Sequence, residues 1–320
     1  MLRVVIIGYG EMFTNLIAGA LSANCEIVGI YRKEIIKYPT IIRKIKDIIN
    51  PSIEYNYIKS YNLPEIEAPD GVNSDAFRKQ LVKLNPDIIL VGSWSEKFSK
   101  ETFNIPKIAT INAHPALLPK YRGPNPYFWV IKNKEQKSGI TFHLMTENYD
   151  SGAILAQEEI NVFPSDTGKT LKERTVLTAR GVVCELLKDL SEDVIIPLQQ
   201  KEENATYYSY PDSVELDFSM STDDNFALIR ASYPWYKPYF YHNNNALCPN
   251  ANNVSIIKNS TNFTKSGTIV EVDDKTKTIC ILCGDNKILK MSNITHYNNY
   301  DKPFTRFYIL RDVKAGDIIF

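Results

Sequence analysis

An amide, an imidazole and a carboxylate are the groups in this chain whose types and spacing suit joint chemistry. Asn112 and His114 stand two residues apart after the apolar run Ile108-Ala109-Thr110-Ile111, and Asp150 follows 36 positions after the imidazole. An imidazole near its ordinary pKa accepts a proton at neutral pH. A nearby carboxylate fixes its orientation and favours its charged form. A side-chain amide donates to a developing oxyanion. No serine or cysteine stands at a nucleophile elbow, so the attacking group is expected to belong to a substrate. These are the parts needed for direct acyl transfer to an amine. On spacing alone, a strand-end histidine is more often a structural hydrogen-bonder.

The elements that position these groups read as an α/β pattern. Ile108–Ile111 reads as a short buried strand, and the loop Pro115-Ala116-Leu117-Leu118-Pro119-Lys120-Tyr121-Arg122-Gly123-Pro124 forbids regular structure after it. Upstream, Arg3 to Ile7 is a buried strand, Gly8-Tyr9-Gly10 a tight turn, Met12 to Leu21 a helix and Glu26 to Tyr31 a second strand. Phe13 replaces the third glycine of a dinucleotide fingerprint and Tyr31-Arg32-Lys33 offers no clear ribose-binding acid, so a plain strand–helix turn is preferred over NAD binding. Ser74 to Leu84 reads as a helix with Asn73 or Ser74 as its cap, and Pro86 to Val91 as a strand ending in Gly92-Ser93-Trp94. Pro126–Lys132 is a short helix, Ile140–Met145 and Ala153–Ile160 are strands, and Thr170–Leu190 is a long amphipathic helix. A Rossmann-like, mostly parallel sheet with helices on both faces is expected.

The polar connector Gln199–Asn204 marks a division into a catalytic domain, 1–203, and a smaller β-rich domain, 204–320. In the latter, Asp223 to Ala231 suggests a helix, and Gly267–Val272, Thr278–Leu282 and Lys287–Met291 suggest short strands between turn residues.

The chain has 320 residues, 44% hydrophobic and 23% charged, with 37 basic and 37 acidic side chains. That balance supports a sizeable core and supplies no global field for nucleic acid or an anionic membrane. Six basic residues between Arg32 and Lys46 interleave with isoleucines, reading as an amphipathic helix with a solvated basic face or as a local phosphate contact. Five cysteines, an odd and scattered number, suggest a reducing, cytoplasmic setting, and the Cys280–Cys283 pair reads as two strand cysteines rather than a metal site. No signal peptide or membrane span is read.

The run Ile111 to Pro124, with Asp150-Ser151-Gly152 downstream, resembles the formyltransferase family that uses 10-formyltetrahydrofolate. Its signature is Asn-x-His-x-Ser-Leu-Leu-Pro, an aromatic or basic pair and Gly, then Asp-x-Gly; Ala116 here replaces the serine. The resemblance implies that Asn112, His114 and Asp150 are catalytic. The substrate amine attacks the formyl carbon, His114 takes the proton or stabilises the intermediate as imidazolium, Asn112 holds the oxyanion, and Asp150 orients His114. It places the folate beside Gly92, Ser93 and Trp94 and against Asn148 and Tyr149, with no metal.

The C-terminal residues Thr206-Tyr207-Tyr208, Leu216-Asp217-Phe218 and Ile229-Arg230-Ala231 are similar to those of methionyl-tRNA and nucleotide-sugar formyltransferases. Three classes therefore compete: a nucleotide-sugar enzyme, a methionyl-tRNA enzyme, and a binding module without catalysis. Neutral charge and the absence of glycines at 33–39 place the sugar ahead of tRNA. By analogy with the family it resembles, a dTDP-linked amino-dideoxyhexose is the expected acceptor and a formylated surface glycan such as lipopolysaccharide its destination; no nucleic-acid or membrane partner is expected. Arg122, Arg230, Tyr233 and Trp235 are the expected acceptor-binding residues, with Tyr207 and Tyr208 as further candidates; a homodimer stays open.

Overall fold

Val4 to Ile7 are fully buried in succession because β1 (Arg3–Gly8) lies between two parallel strands and under helices on both faces. The computed structural model describes residues 1–297 and 310–319. After β1 come α1 (Gly10–Ser22), β2 (Glu26–Arg32), α2 (Glu34–Lys37), α3 (Thr40–Ile49), α4 (Ile53–Ser60) and α5 (Asp75–Leu84). These are followed by β3 (Ile88–Gly92), α6 (Lys100–Phe103), β4 (Ala109–His114), α7 (Pro126–Lys132), β5 (Lys137–Leu144), β6 (Ile154–Asn161) and α8 (Gly168–Ser191).

The strands stand in the order β2-β1-β3-β4-β5-β6. The first four are parallel and the last two antiparallel, so the Rossmann-like start closes on a hairpin. Alternation along β1 splits the core. Val4 and Ile6 pack with Met12, Phe13 and Leu16 of α1 and Val183 and Leu187 of α8. Val5 and Ile7 pack with Phe77 and Leu81 of α5, whose start is capped by Ser74 Oγ accepting from Phe77 N at 3.2 Å.

The Gly8-Tyr9-Gly10 turn is held by protein alone. A Cβ on Gly8 would come within 2.3 Å of the Gly92 carbonyl oxygen, so glycine lets β1 and β3 end side by side. The Gly10 amide donates to the buried Glu54 carboxylate at 2.5 Å. That anion occupies the start of α1, where a dinucleotide phosphate would otherwise sit.

The basic run 32–46 corrects a sequence expectation. A helix forms there, but its inner side is charged and its outer side apolar. Arg32 is fully buried against Asp47 and Glu65, and buried Arg43 pairs with Glu67. The paired guanidinium groups draw Arg43 and Asp47 inward, which turns the isoleucines of α3 outward.

A second core gathers the C-terminal residues. There, α9 (Thr222–Ser232) is capped by Ser221, and Ile229 packs with Phe218, Phe240 and Leu289. The strands are β7 (Phe240–His242), β8 (Asn245–Cys248), β9 (Val254–Lys258), β10 (Ile269–Asp273), β11 (Thr278–Leu282), β12 (Lys287–Met291) and β13 (Thr295–His296). They form antiparallel sheets of order β10-β11-β12-β9 and β13-β8-β7.

The two compact units interleave along the chain. One holds Met1–Pro126, Lys137–Asn161 and Lys172–Ser209; the other holds Tyr127–Gln136, Val162–Leu171 and the chain from Tyr210. The connector 199–204 packs in the first unit, because Gln200 and Glu202 both bond to Arg122.

Candidate active site

The strand that carries the site is longer than its apolar run. β4 continues through Asn112 and His114 because β5 pairs with it, setting Asn112 opposite His143 and His114 opposite Thr141. Polar side chains can therefore end a buried strand without losing its backbone bonds. The proline loop that follows is pinned on both sides. Thr141 Oγ1 donates to the Ala116 carbonyl oxygen at 2.6 Å, and Gln157 Nε2 donates to the Leu118 carbonyl oxygen at 3.0 Å. On the other side Arg122 N donates to the Thr206 carbonyl oxygen at 2.9 Å, and Tyr208 N to that of Arg122 at 2.9 Å.

Asp150 joins the strand from a tight turn. Its own φ is +52°, and a Cβ on Gly152 would fall 1.8 Å from the Leu144 carbonyl oxygen, so only glycine permits this return. Gln200 Nε2 donates to the carbonyl oxygens of Asp150 and Gly152 at 2.8 and 2.7 Å. The carboxylate is aimed inward, accepting from Gly123 N at 2.8 Å.

Asn112, His114 and Asp150 meet here as the sequence predicts. Asp150 Oδ2 lies 3.4 Å from His114 Nδ1, and Asn112 Nδ2 lies 3.3 Å from Asp150 Oδ1. The other imidazole nitrogen of His114, Nε2, lies 2.8 Å from the Tyr121 carbonyl oxygen. Both ring nitrogens therefore face groups that only accept, which favours the doubly protonated ring. Burial opposes the charge on His114, but the Asp150 carboxylate and the Tyr121 carbonyl outweigh it and hold the pKa above the ordinary imidazole value. Burial likewise opposes charge on Asp150, yet the His114 imidazolium holds its carboxyl far below the usual carboxylate range.

His143 is a site residue that sequence reading missed. Its Nδ1 lies 2.9 Å from the Leu144 carbonyl oxygen, which makes Nδ1 the donor and leaves Nε2 to accept from Asn112 Nδ2 at 3.1 Å. Both amide hydrogens of Asn112 are thus used within the cluster. The signal for His143 was its alternation with Thr141 on the strand 140–145; its relevance needed the β4–β5 register. Gln200 carried no signal, since nothing local marks a connector glutamine as a brace.

The loops expected to border a folate lie side by side. Lys97 Nζ stands 5.5 Å from the Tyr149 ring centroid, and Lys100 Nζ 3.6 Å from Glu147 Oε1. Gly92 ends β3, Ser93 follows with φ +56°, and Trp94 lies 5.6 Å from the Tyr31 ring. The buried indole Nε1 of Trp94 has no hydrogen-bond partner among the described residues. Asn148 offers its carbonyl oxygen to Thr146 and Ser151 hydroxyls, and Tyr149 is half exposed. Among the described residues no group of three or more His, Cys, Asp or Glu is arranged to hold a metal ion.

The expected acceptor residues are distributed. Arg122 forms a two-pronged pair with Glu202 at 2.9 and 2.7 Å and bonds Gln200, so its guanidinium is committed to bracing the connector. Tyr208 stacks on Tyr121 at 5.2 Å, while Tyr207 is exposed. In the second unit, Arg230 donates to the Asp166 carbonyl oxygen at 2.6 Å and leans on the Phe226 ring. Tyr233 ends α9, and its carbonyl oxygen accepts from Lys169 N. Trp235 is 39% exposed, stacks on Tyr127 at 5.8 Å, and lies over Gly168, where a Cβ would come within 2.5 Å of the indole.

Comparison with known proteins places this geometry in a family. Residues 2–185 match the family model described as Formyl transferase. A methionyl-tRNA formyltransferase of Thermodesulfovibrio yellowstonii is 33% identical over 175 residues, 54% of this chain and 56% of its own. The bifunctional polymyxin resistance protein ArnA of Wigglesworthia glossinidia brevipalpis is 28% identical over 246 residues, 75% of this chain and 36% of its own. The chain thus spans about half or less of the length of these two relatives. The solved N-formyltransferase from Helicobacter canadensis, in complex with folinic acid and dTDP-3-aminofucose, is similar in fold. It has a TM-score of 0.64 and 16% identity, and the match covers 93% of this chain and 100% of that one. With over half of its residues matched to the family model, and the Asn112–His114–Asp150 cluster standing within that stretch, the chain belongs to the formyl transferase family.

Proposed function

We propose that the protein transfers a formyl group from 10-formyltetrahydrofolate to the amine of a nucleotide-linked amino sugar. The observation that carries the chemistry is His114, buried between the Asp150 carboxylate and the Tyr121 carbonyl with Asn112 alongside. The amine nitrogen forms a bond to the formyl carbon, and the bond from that carbon to the folate nitrogen breaks. The proton lost by the amine goes to the departing folate nitrogen. His114 as imidazolium stabilises the negative oxygen of the tetrahedral intermediate, an effect that dominates where fixed charge faces developing charge in a water-poor site. The alternative role, His114 as general base, requires it first to lose one of its two ring protons, each of which faces an acceptor. Asn112 supports the same oxygen once its amide leaves His143 or Asp150.

Gly92, Ser93, Trp94, Asn148 and Tyr149 would hold the folate. The unpartnered indole N–H of Trp94 supports this assignment, since a buried donor without a partner costs about 1–3 kcal/mol unless a ligand satisfies it. Trp235, 39% exposed and stacked on Tyr127, would help to hold the nucleotide base. Residues 1–203 would supply the chemistry and 204–320 the acceptor recognition, in a cytoplasmic enzyme whose product enters a surface glycan. The Helicobacter canadensis protein, bound to a dTDP-amino sugar, supports the sugar class.

Methionyl-tRNA is the second reading, favoured by the Thermodesulfovibrio relative. Burial of Arg32 and Arg43 in ion pairs weakens it, because two of the six cations of the run 32–46 are withdrawn from phosphate. Incubation with 10-formyltetrahydrofolate and either dTDP-amino sugars or methionyl-tRNA tests both. Formylated sugar is the expected product; formylation of tRNA alone overturns the first reading.

A further inference from the structure

α3 presents the wrong face to solvent for an ordinary surface helix. Ile41, Ile42, Ile45, Ile48 and Ile49 are 52–77% exposed and share one side of the helix. Ile36 before the helix and Ile53 after it are exposed as well. The helix cannot roll over to bury them. Its opposite side carries Arg43 and Asp47, locked to Glu67 and to the fully buried Arg32, and exposing that network would strip a buried guanidinium of its partners. The isoleucine face is therefore a fixed property of the fold. A contiguous apolar patch of this kind marks a site of contact.

The exposed charges of this stretch of chain have one sign, while the half-exposed Glu67 is taken up by Arg43 on the inner side of the helix. Lys33, Lys37, Lys44 and Lys59 are exposed. The three acids of the same stretch are turned inward. Glu34 lies 4.0 Å from Lys46, Asp47 meets Arg32, and Glu54 caps α1. From residue 33 to 61 every exposed charge is a lysine.

We propose that this face docks the enzyme on the surface of an anionic lipid bilayer. A convex helix with an apolar side and lysines on its flanks lies in the plane of a bilayer, its isoleucines among the acyl chains and its lysines at the headgroups. Each lysine near an anionic leaflet adds electrostatic attraction to the headgroups. The other occupants fit less well. Two-fold pairing with a second copy would set one lysine-ringed face against another. A polynucleotide would satisfy the lysines and leave the isoleucines unburied. An anionic bilayer answers both chemistries.

The test is flotation of the full chain with vesicles of phosphatidylcholine and phosphatidylglycerol at about three to one, against phosphatidylcholine alone. The wild type is expected to float with the anionic vesicles and not with the neutral ones. The triple variant Ile41→Ser, Ile45→Ser, Ile48→Ser is expected to lower the bound fraction about tenfold or more, with its thermal melt and its turnover in solution unchanged. The pair Lys37→Glu, Lys44→Glu should weaken binding while sparing the isoleucines. Equal flotation of wild type and triple variant overturns the proposal, as does a wild type that ignores anionic vesicles. So does lipid-free self-association, or tRNA binding, that the triple variant abolishes, since a second copy or RNA would then own the face.

Discussion

His114 Nδ1 lies 3.4 Å from Asp150 Oδ2, with the imidazole nearly sealed from solvent. The carboxylate arrives from a turn 36 residues downstream, and it keeps charged a ring that burial alone would neutralise. The behaviour of the site follows from that contest between burial and pairing.

Replacing His114 by alanine removes the positive charge and leaves Asp150 beside His143, Asn112 and Gly123 N. Turnover is expected to fall by about 10²–10⁴-fold with the fold retained. Steady-state formyl transfer and a circular-dichroism melt measure the two. Turnover near wild type would sink the role given to His114.

Asp150→Asn reverses the contest. Burial then dominates, and the pKa of His114 is expected to drop below its ordinary value. If the imidazolium form is active, the descending alkaline limb of kcat/KM moves to lower pH. An unmoved limb would show that it belongs to another group.

The same pair bears on stability. His114 is raised, so its contribution is full below the ordinary imidazole pKa and is lost as pH rises through the raised one. Asp150 is depressed, so its contribution is full above the ordinary carboxylate pKa and is lost as pH falls through the depressed one. The gap in urea midpoint between wild type and Asp150→Asn should be widest between about pH 4 and 6.5. A gap independent of pH would refute the linkage.

Gln200→Ala should injure catalysis from a distance. It leaves the carbonyl oxygens of Asp150 and Gly152 without their donor and removes one hold on Arg122. The loss is expected at about 1–3 kcal/mol in a denaturant melt. A lower kcat should accompany it, because Asp150 then wanders. Full activity with normal stability would show that the turn needs no brace.

Trp235→Ala tests acceptor recognition. If the indole stacks on a base, KM for the nucleotide sugar should rise about tenfold or more, in line with roughly 1–3 kcal/mol per stacked base. KM for the formyl donor and kcat should hold. Equal loss for both substrates would point to packing with Tyr127 instead.

Much of this protein was legible in its residues. The apolar runs at 3–7, 26–31 and 86–91 became β1, β2 and β3, Ser74 capped its helix, and Pro126–Lys132 formed the helix expected of it. Burial periodicity and capping are local, so they survive without knowledge of partners. Residue type and spacing singled out Asn112, His114 and Asp150 only weakly; their resemblance to the formyltransferase signature, which is also local in sequence, made them a set. Long-range pairing decided the remainder. Only the β4–β5 register set His143 against Asn112, and only the return of the connector put Gln200 on the Asp150 turn. Only the buried Arg32–Asp47 pair determined which side of α3 faces out, reversing the face that its pattern of isoleucines predicts. A hydrophobic pattern ranks faces by their cost in water; it cannot register that a buried guanidinium must keep its carboxylates.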